Sequence, residues 1–186
     1  MKTFLVSLRM FLLLTLLTGI AYPMIVWGIG NAFFSKEIAG SLVYKDGIVI
    51  GSRLIEQEFA SDKYFHPRRS ANQFATVPSG ASNFSATSKV LKEEVEKRRA
   101  KYGEQAPDDL LTSSGSGLDP HLSPKAVFFQ MDRVAKARNL TEEQKLKLEN
   151  LINRMVETPQ FGFMGSLRVN ILSLNLELDR VFPKDV

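Results

Sequence analysis

Phe11-Leu12-Leu13-Leu14-Thr15-Leu16-Leu17-Thr18-Gly19-Ile20-Ala21-Tyr22-Pro23-Met24-Ile25-Val26-Trp27 decides how the rest of the chain is read. No charge falls between Met10 and Ser35. About 20 apolar residues as helix cross a bilayer core, and residues 10–30 supply them. A cleaved signal peptide has a shorter apolar region and a small-residue cleavage site, whereas Ala21 here is followed by Tyr22 and Pro23. The expectation is an uncleaved anchor. Lys2 and Arg9 are the only charged side chains before Lys36. By the positive-inside rule residues 1–9 stay in the cytoplasm and residues 36–186 lie outside as one soluble domain. Pro23 removes a backbone donor inside the span, which neighbouring helices can compensate. Thr18, Gly19, Tyr22 and Pro23 are the candidate helix-packing residues.

The outer region carries ordinary globular chemistry. With Lys2 and Arg9 set aside, 22 basic residues face 20 acidic ones, too little bias for a nucleic-acid partner. The burst Lys97-Arg98-Arg99 lies beside Glu93, Glu94 and Glu96, as on a solvated helix face. The chain has no cysteine, which removes disulfides, thiolate zinc sites and cysteine nucleophiles.

Gly40–Tyr44 and Ile48–Ser52 flank Asp46-Gly47, a hairpin signal. Leu54–Phe59 fits a strand or a short helix. Residues 64–83 read as a long ordered loop. Helical pattern begins near Ser88 and ends at Tyr102-Gly103. Ser123-Pro124 opens a second helix. Thr141-Glu142-Glu143-Gln144 is a capping box that opens a third, with Leu148, Leu151, Ile152 and Met155 on one face. The alternation of Leu172, Leu174, Leu176 and Leu178 predicts a C-terminal strand. The expected fold is a membrane-anchored α+β chain: one anchor helix and one mixed α/β domain with a hairpin, about three helices and a final strand.

Catalytic signatures are sparse. There is no phosphate-binding Gly-x-x-x-x-Gly-Lys-Ser/Thr motif. His66 and His121 are far apart, with no ligand array beside either, so no metal site is expected. Ser114-Gly115-Ser116-Gly117-Leu118-Asp119-Pro120-His121 gathers a hydroxyl, a carboxylate and an imidazole. It is not the nucleophile elbow of the hydrolases. The simpler reading is a tight loop whose Asp119 and Ser123 accept from backbone amides. Tyr64, Phe65, Arg68 and Arg69 are residue types enriched at interfaces. The two aromatics fit the domain's own core equally well.

In combination these blocks are more specific than any is alone. Leu17–Pro23, Gly51–Phe59, Tyr64-Phe65, Arg68–Ala71, Ser79–Asn83, Ser114–His121, Arg133–Arg138 and Arg168–Leu172 follow one another in a set order. In this the chain resembles the C subunit of the Kdp potassium-transporting P-type ATPase, over nearly its whole length. It departs from that pattern at Arg69, Ala81, Phe84–Ser88 and Ser166-Leu167, all in loops. The resemblance implies a non-catalytic accessory subunit in the cell membrane, with membrane lipid around its anchor. Its partners would be a channel-like potassium-translocating subunit and an ATP-hydrolysing subunit. It also implies a role as a catalytic chaperone that raises ATP affinity in the hydrolysing subunit, with no cofactor held by this chain itself. Ser114, Gly115, Ser116, Gly117, Asp119 and His121 then form a candidate partner or nucleotide-linked loop. Two other functions are compatible with the residues: a stand-alone extracytoplasmic sensor, and an anchored hydrolase using Ser116, Asp119 and His121.

Overall fold

The computed structural model describes residues 1–183. They form two compact units, Met1–Ile50 and the chain from Gly51 onward.

The first unit is built on one helix running from Lys2 to Phe33, long and apolar enough to cross a membrane. It comprises α1 (Lys2–Leu16), a π-helical segment (Leu17–Ala21) and α2 (Tyr22–Phe33), and none of its residues is buried. The π segment answers the problem posed by Pro23. Proline offers no N–H to the carbonyl four residues back. Widening the preceding turn lets the Tyr22 N–H reach Leu17 O, so the helix continues through the proline. A short helix α3 (Ser35–Ile38) follows, and the Ile38 side chain lies against Gly30, where any Cβ would collide with it. Strands β1 (Leu42–Lys45) and β2 (Ile48–Ser52) form the expected hairpin. Asp46 and Gly47 turn it with φ of 52° and 79°, the left-handed pair that a two-residue hairpin loop requires.

The second unit contains α4 (Lys89–Tyr102), α5 (Asp108–Leu111), β3 (His121–Leu122), α6 (Pro124–Ala137), α7 (Glu142–Met155), β4 (Val156–Glu157), β5 (Arg168–Asn170) and α8 (Ile171–Val181). β5 is the middle strand of a small antiparallel sheet, pairing His121 with Asn170 on one side and Val156 with Val169 on the other. α6, α7 and α8 pack around it. Val127, Val134, Leu148, Ile152, Val169, Leu174 and Leu178 are fully buried there. The spacing of 127 and 134 on α6, and of 148, 151 and 152 on α7, is the helical apolar stripe that binds such a layer. Ser123 caps α6 by accepting the Ala126 N–H at 3.3 Å. Thr141 and Gln144 make the reciprocal capping box of α7.

Two sequence expectations are corrected. The alternating leucines after Asn170 are helical, not extended. Asn170 Oδ1 accepts the Ser173 N–H at 3.0 Å and starts α8. The residues that α8 buries are Ile171, Leu172, Leu174, Asn175 and Leu178, a spacing of three and four that the alternation concealed. Among the described residues the second unit thus holds four helices of more than ten residues rather than about three, and the last strand there is β5. Leu54–Phe59 forms neither strand nor helix. It leaves β2 through a turn and runs as irregular chain, anchored where Asn170 Nδ2 donates to Arg53 O at 2.8 Å.

Candidate functional site

A layer of loop (residues 53–84) lies over the helical core and is held by polar side chains. Gln130 on α6 accepts the His66 N–H at 2.9 Å and donates to His66 O at 3.0 Å. Asn175 on α8 does the same for Phe65, at 2.9 Å in both directions. Each amide therefore completes one residue's backbone pairing, as a neighbouring strand would. Arg133 adds donors to Asp62 O at 2.8 Å and Tyr64 O at 3.0 Å. Tyr64 Oη donates to Asp179 at 2.8 Å, and Arg138 bonds the same carboxylate at 2.7 Å while its guanidinium lies 5.0 Å from the Tyr64 ring centre.

This placement corrects the interface reading for one residue. Phe65 has no exposed surface and belongs to the core. Tyr64 is half-buried and engaged within the unit. Arg68 and Arg69 point the other way, into a cleft of about 380 Å³ that Arg98, Lys101, Tyr102 and Phe59 also line. Glu94 is shared between Arg69 at 3.0 Å and Arg98 at 2.8 Å, and Arg98 also donates to Leu111 O. The cleft is therefore electropositive.

The Ser114–His121 loop is ordered against this layer. Ser114 N–H donates to Arg69 O at 3.3 Å, Gly117 N–H to Ser114 O at 3.3 Å and Leu118 N–H to Ser116 Oγ at 3.1 Å. Gly117 has φ of 73°, and a Cβ there would stand 2.5 Å from Gly80 O; only glycine fits this close approach. Gly115 and Ser116 are exposed, while Ser114 is buried with its Oγ unpartnered. Asp119 Oδ1 accepts the His121 N–H at 3.1 Å and lies 3.3 Å from His121 Nδ1; Asp119 Oδ2 meets Arg68 Nη1 at 3.4 Å. Hydrogen bonding from His121, with Arg68 nearby, holds the Asp119 carboxyl below its usual pKa.

Glu56 completes the cluster and was not singled out by the sequence. Its N–H donates to Leu118 O at 3.0 Å, tying residues 53–59 to the loop. Its carboxyl is buried and both oxygens lack a hydrogen-bond partner. Burial, reinforced by the Asp119 charge, pushes its pKa up to about 8. The Arg68 guanidinium and backbone N–H lie close enough to oppose that rise, but neither reaches hydrogen-bond geometry. No sequence period marks a buried acid in an irregular segment. The one available signal was its position directly after Leu54-Ile55 in a block that otherwise turns.

Among the described residues no serine hydroxyl bonds the His121 ring, and Ser116 Oγ serves the Leu118 amide instead. A hydrolase needs its base within reach of its nucleophile. Among the described residues there is also no cluster of three or more metal-ligating side chains. A nucleotide phosphate would need free amides in the loop, yet those of Ser114, Gly117 and Leu118 are already engaged. In the first unit Thr18 Oγ1 donates to Leu14 O at 2.7 Å, and Gly19 has nothing within 4 Å of where a Cβ would stand. Tyr22 is exposed, and Pro23 sits at the start of α2.

Comparison with known proteins is decisive for family. The pattern described as KdpC: K+-transporting ATPase, c chain, matches residues 4–180. The chain is 48% identical to the potassium-transporting ATPase KdpC subunit of Leptospira interrogans, covering 95% of this chain and 93% of that one. The subunit of the same name from Methylobacterium nodulans is 46% identical, over 92% and 93%. That of Bradyrhizobium diazoefficiens is 45% identical, over 96% of each.

Proposed function

Because the chain belongs to the KdpC family, the c chains of potassium-transporting ATPases, and is an accessory subunit of such a pump, we propose how it serves that pump. It is a non-catalytic, single-pass subunit of the cell membrane that holds the complex together. Its partners are a channel-like subunit that translocates potassium and a subunit that hydrolyses ATP. The observation that carries this reading is the unbroken family match across residues 4–180, on a chain whose first helix, Lys2–Phe33, is long and apolar enough to cross a membrane.

Lys2 and Arg9 keep the N-terminus in the cytoplasm and the domain outside. Thr18, Gly19, Tyr22 and Pro23 pack against a partner helix in the membrane. The domain covers the outer entrance of the channel-like subunit, with Arg68, Arg69, Asp119 and His121 on its partner-facing side. Nucleotide belongs to the hydrolysing subunit. A domain on the far side of the membrane influences ATP affinity through contacts made within the bilayer. The loop chemistry supports this division, because the Ser114, Gly117 and Leu118 amides are spent internally.

The test is affinity purification of the chain, tagged at its C-terminus, from native membranes in mild detergent after potassium-limited growth. The expected result is equal recovery of both partner subunits. Recovery of this chain alone, with the pump intact in the same membranes, overturns the reading and favours a stand-alone sensor.

A further inference from the structure

The cleft beside α4 draws cations from two distant stretches of the chain. Arg68 and Arg69 enter from the loop layer, and Arg98 and Lys101 from one face of α4, three residues apart. Glu58 is the one carboxylate among the described residues that line it. Glu94 and Asp119 reach the arginines from outside the cleft, and Glu94 is shared between two of them. Glu56, close to Arg68, keeps its proton up to about pH 8. Four cations therefore face three charged carboxylates. The imbalance is felt by Arg98, whose side chain is only 11% exposed. Burial, and then the Arg69 charge beside it, lower its pKa. Burial, with the Arg133 and Lys101 charges behind it, also lowers the pKa of His66, another lining residue.

Donors are also left over. Arg68 Nε and Arg98 Nε are buried and have no hydrogen-bond partner among the described residues. An N–H buried without an acceptor is costly. Lys101 meets no carboxylate among the described residues; its Nζ lies 5.3 Å from the centre of the Tyr102 ring. Three cationic side chains thus hold unspent donors around one cavity. Water satisfies the donors but not the charge. A carboxylate brings two oxygens and a single charge. A phosphoryl group brings three oxygens and about two charges near neutral pH, and arginine forks match its geometry. At about 380 Å³ the cleft is larger than one such ion, and Phe59, Phe74 and Leu110 add apolar wall. That leaves room for an organic group esterified to the phosphate. We propose that this cleft binds a phosphoryl anion among Arg68, Arg69, Arg98 and Lys101, either free phosphate or the headgroup of an anionic lipid. The site lies within the second unit and stands whether or not the accessory-subunit reading holds.

The test is calorimetric titration of the full chain, in phosphate-free dodecyl maltoside, with inorganic phosphate at constant ionic strength. Saturable binding of one ion per chain is expected. Arg69→Gln with Lys101→Gln is expected to weaken that binding about tenfold, as loss of charge-assisted hydrogen bonds does. Both side chains are exposed, so the fold survives their replacement. Lys101→Arg, which keeps the charge, binds as the unaltered chain does. So does Lys147→Gln with Arg154→Gln, the same change of charge on exposed positions of α7. Doping the micelles with phosphatidylglycerol identifies the source. Displacement of phosphate assigns the cleft to a lipid headgroup, and undisturbed binding assigns it to the free ion; either result upholds the proposal. No saturable binding of phosphate, equal binding by the Arg69 and Lys101 double variant, or a glutamate-rich peptide that binds where phosphate does not overturns it.

Discussion

The helical core around β5 and the loop layer laid over it each bury residues completely but hold them differently. Leu148 and Phe65 both have no exposed surface. Leu148 is fixed by apolar neighbours on three helices, which attract one another without regard to direction. Phe65 and His66 have their backbone groups completed by the side-chain amides of Asn175 and Gln130, partners that work only at one distance and angle. Burial by area tolerates substitution by similar shapes. Burial by hydrogen bonding fails when one atom is missing.

The comparison can be broken at four points. Leu148→Ala in the core is expected to cost about 4 kcal/mol, transfer and cavity together, as read by denaturant unfolding of the full chain in detergent. Asn175→Ala strands the Phe65 N–H and C=O and is expected to cost about 3 kcal/mol. A cost below that of an ordinary surface change would mean the layer is held by its apolar contacts after all. Gly117→Ala sets a Cβ against Gly80 O at a left-handed φ, and about 2 kcal/mol of strain is expected; unchanged melting would show that the loop shifts freely. The fourth point, Glu56, is read in the pH dependence of stability. Folded, its carboxyl keeps a proton up to about pH 8; unfolded, it releases it near the ordinary 4.5. The unfolded state therefore binds fewer protons between those values, and stability declines as pH rises through them. Glu56→Gln is expected to flatten that decline. An unaltered slope would place the carboxyl in water.

The same difference explains what the sequence disclosed. Core helices announce themselves locally: Thr141 with Gln144, Ser123 with Pro124, and the 148–151–152 stripe each sit within a few residues of what they determine. The hairpin at Asp46-Gly47 is equally local. α8 was misread because Leu172, Leu174, Leu176 and Leu178 satisfy a period of two. The competing evidence, Asn170 as a cap and Asn175 on the buried face, looked merely polar. The loop layer was visible only as a loop, because Asn175 lies 110 positions from Phe65 and Gln130 lies 64 from His66. Asp119 and His121 were legible as a pair because they are neighbours. Their companions Glu56 and Arg68 are brought in by folding alone.

The widened turn at Leu17–Ala21 has a geometric consequence for whatever lies beside the apolar helix. An α-helix advances about 100° per residue, and a π turn takes in one residue more than an α turn does. Side chains after Ala21 are therefore rotated by roughly one residue's angle from where an unbroken α pattern would place them. Gly19 and Gly30, eleven positions apart, would share a face of an unbroken α-helix, and the wide turn rotates them off it. The rod behaves like a key whose bit is cut in two planes. A neighbour following it along its length must cross from one side to another midway, or two neighbours must each grip one half.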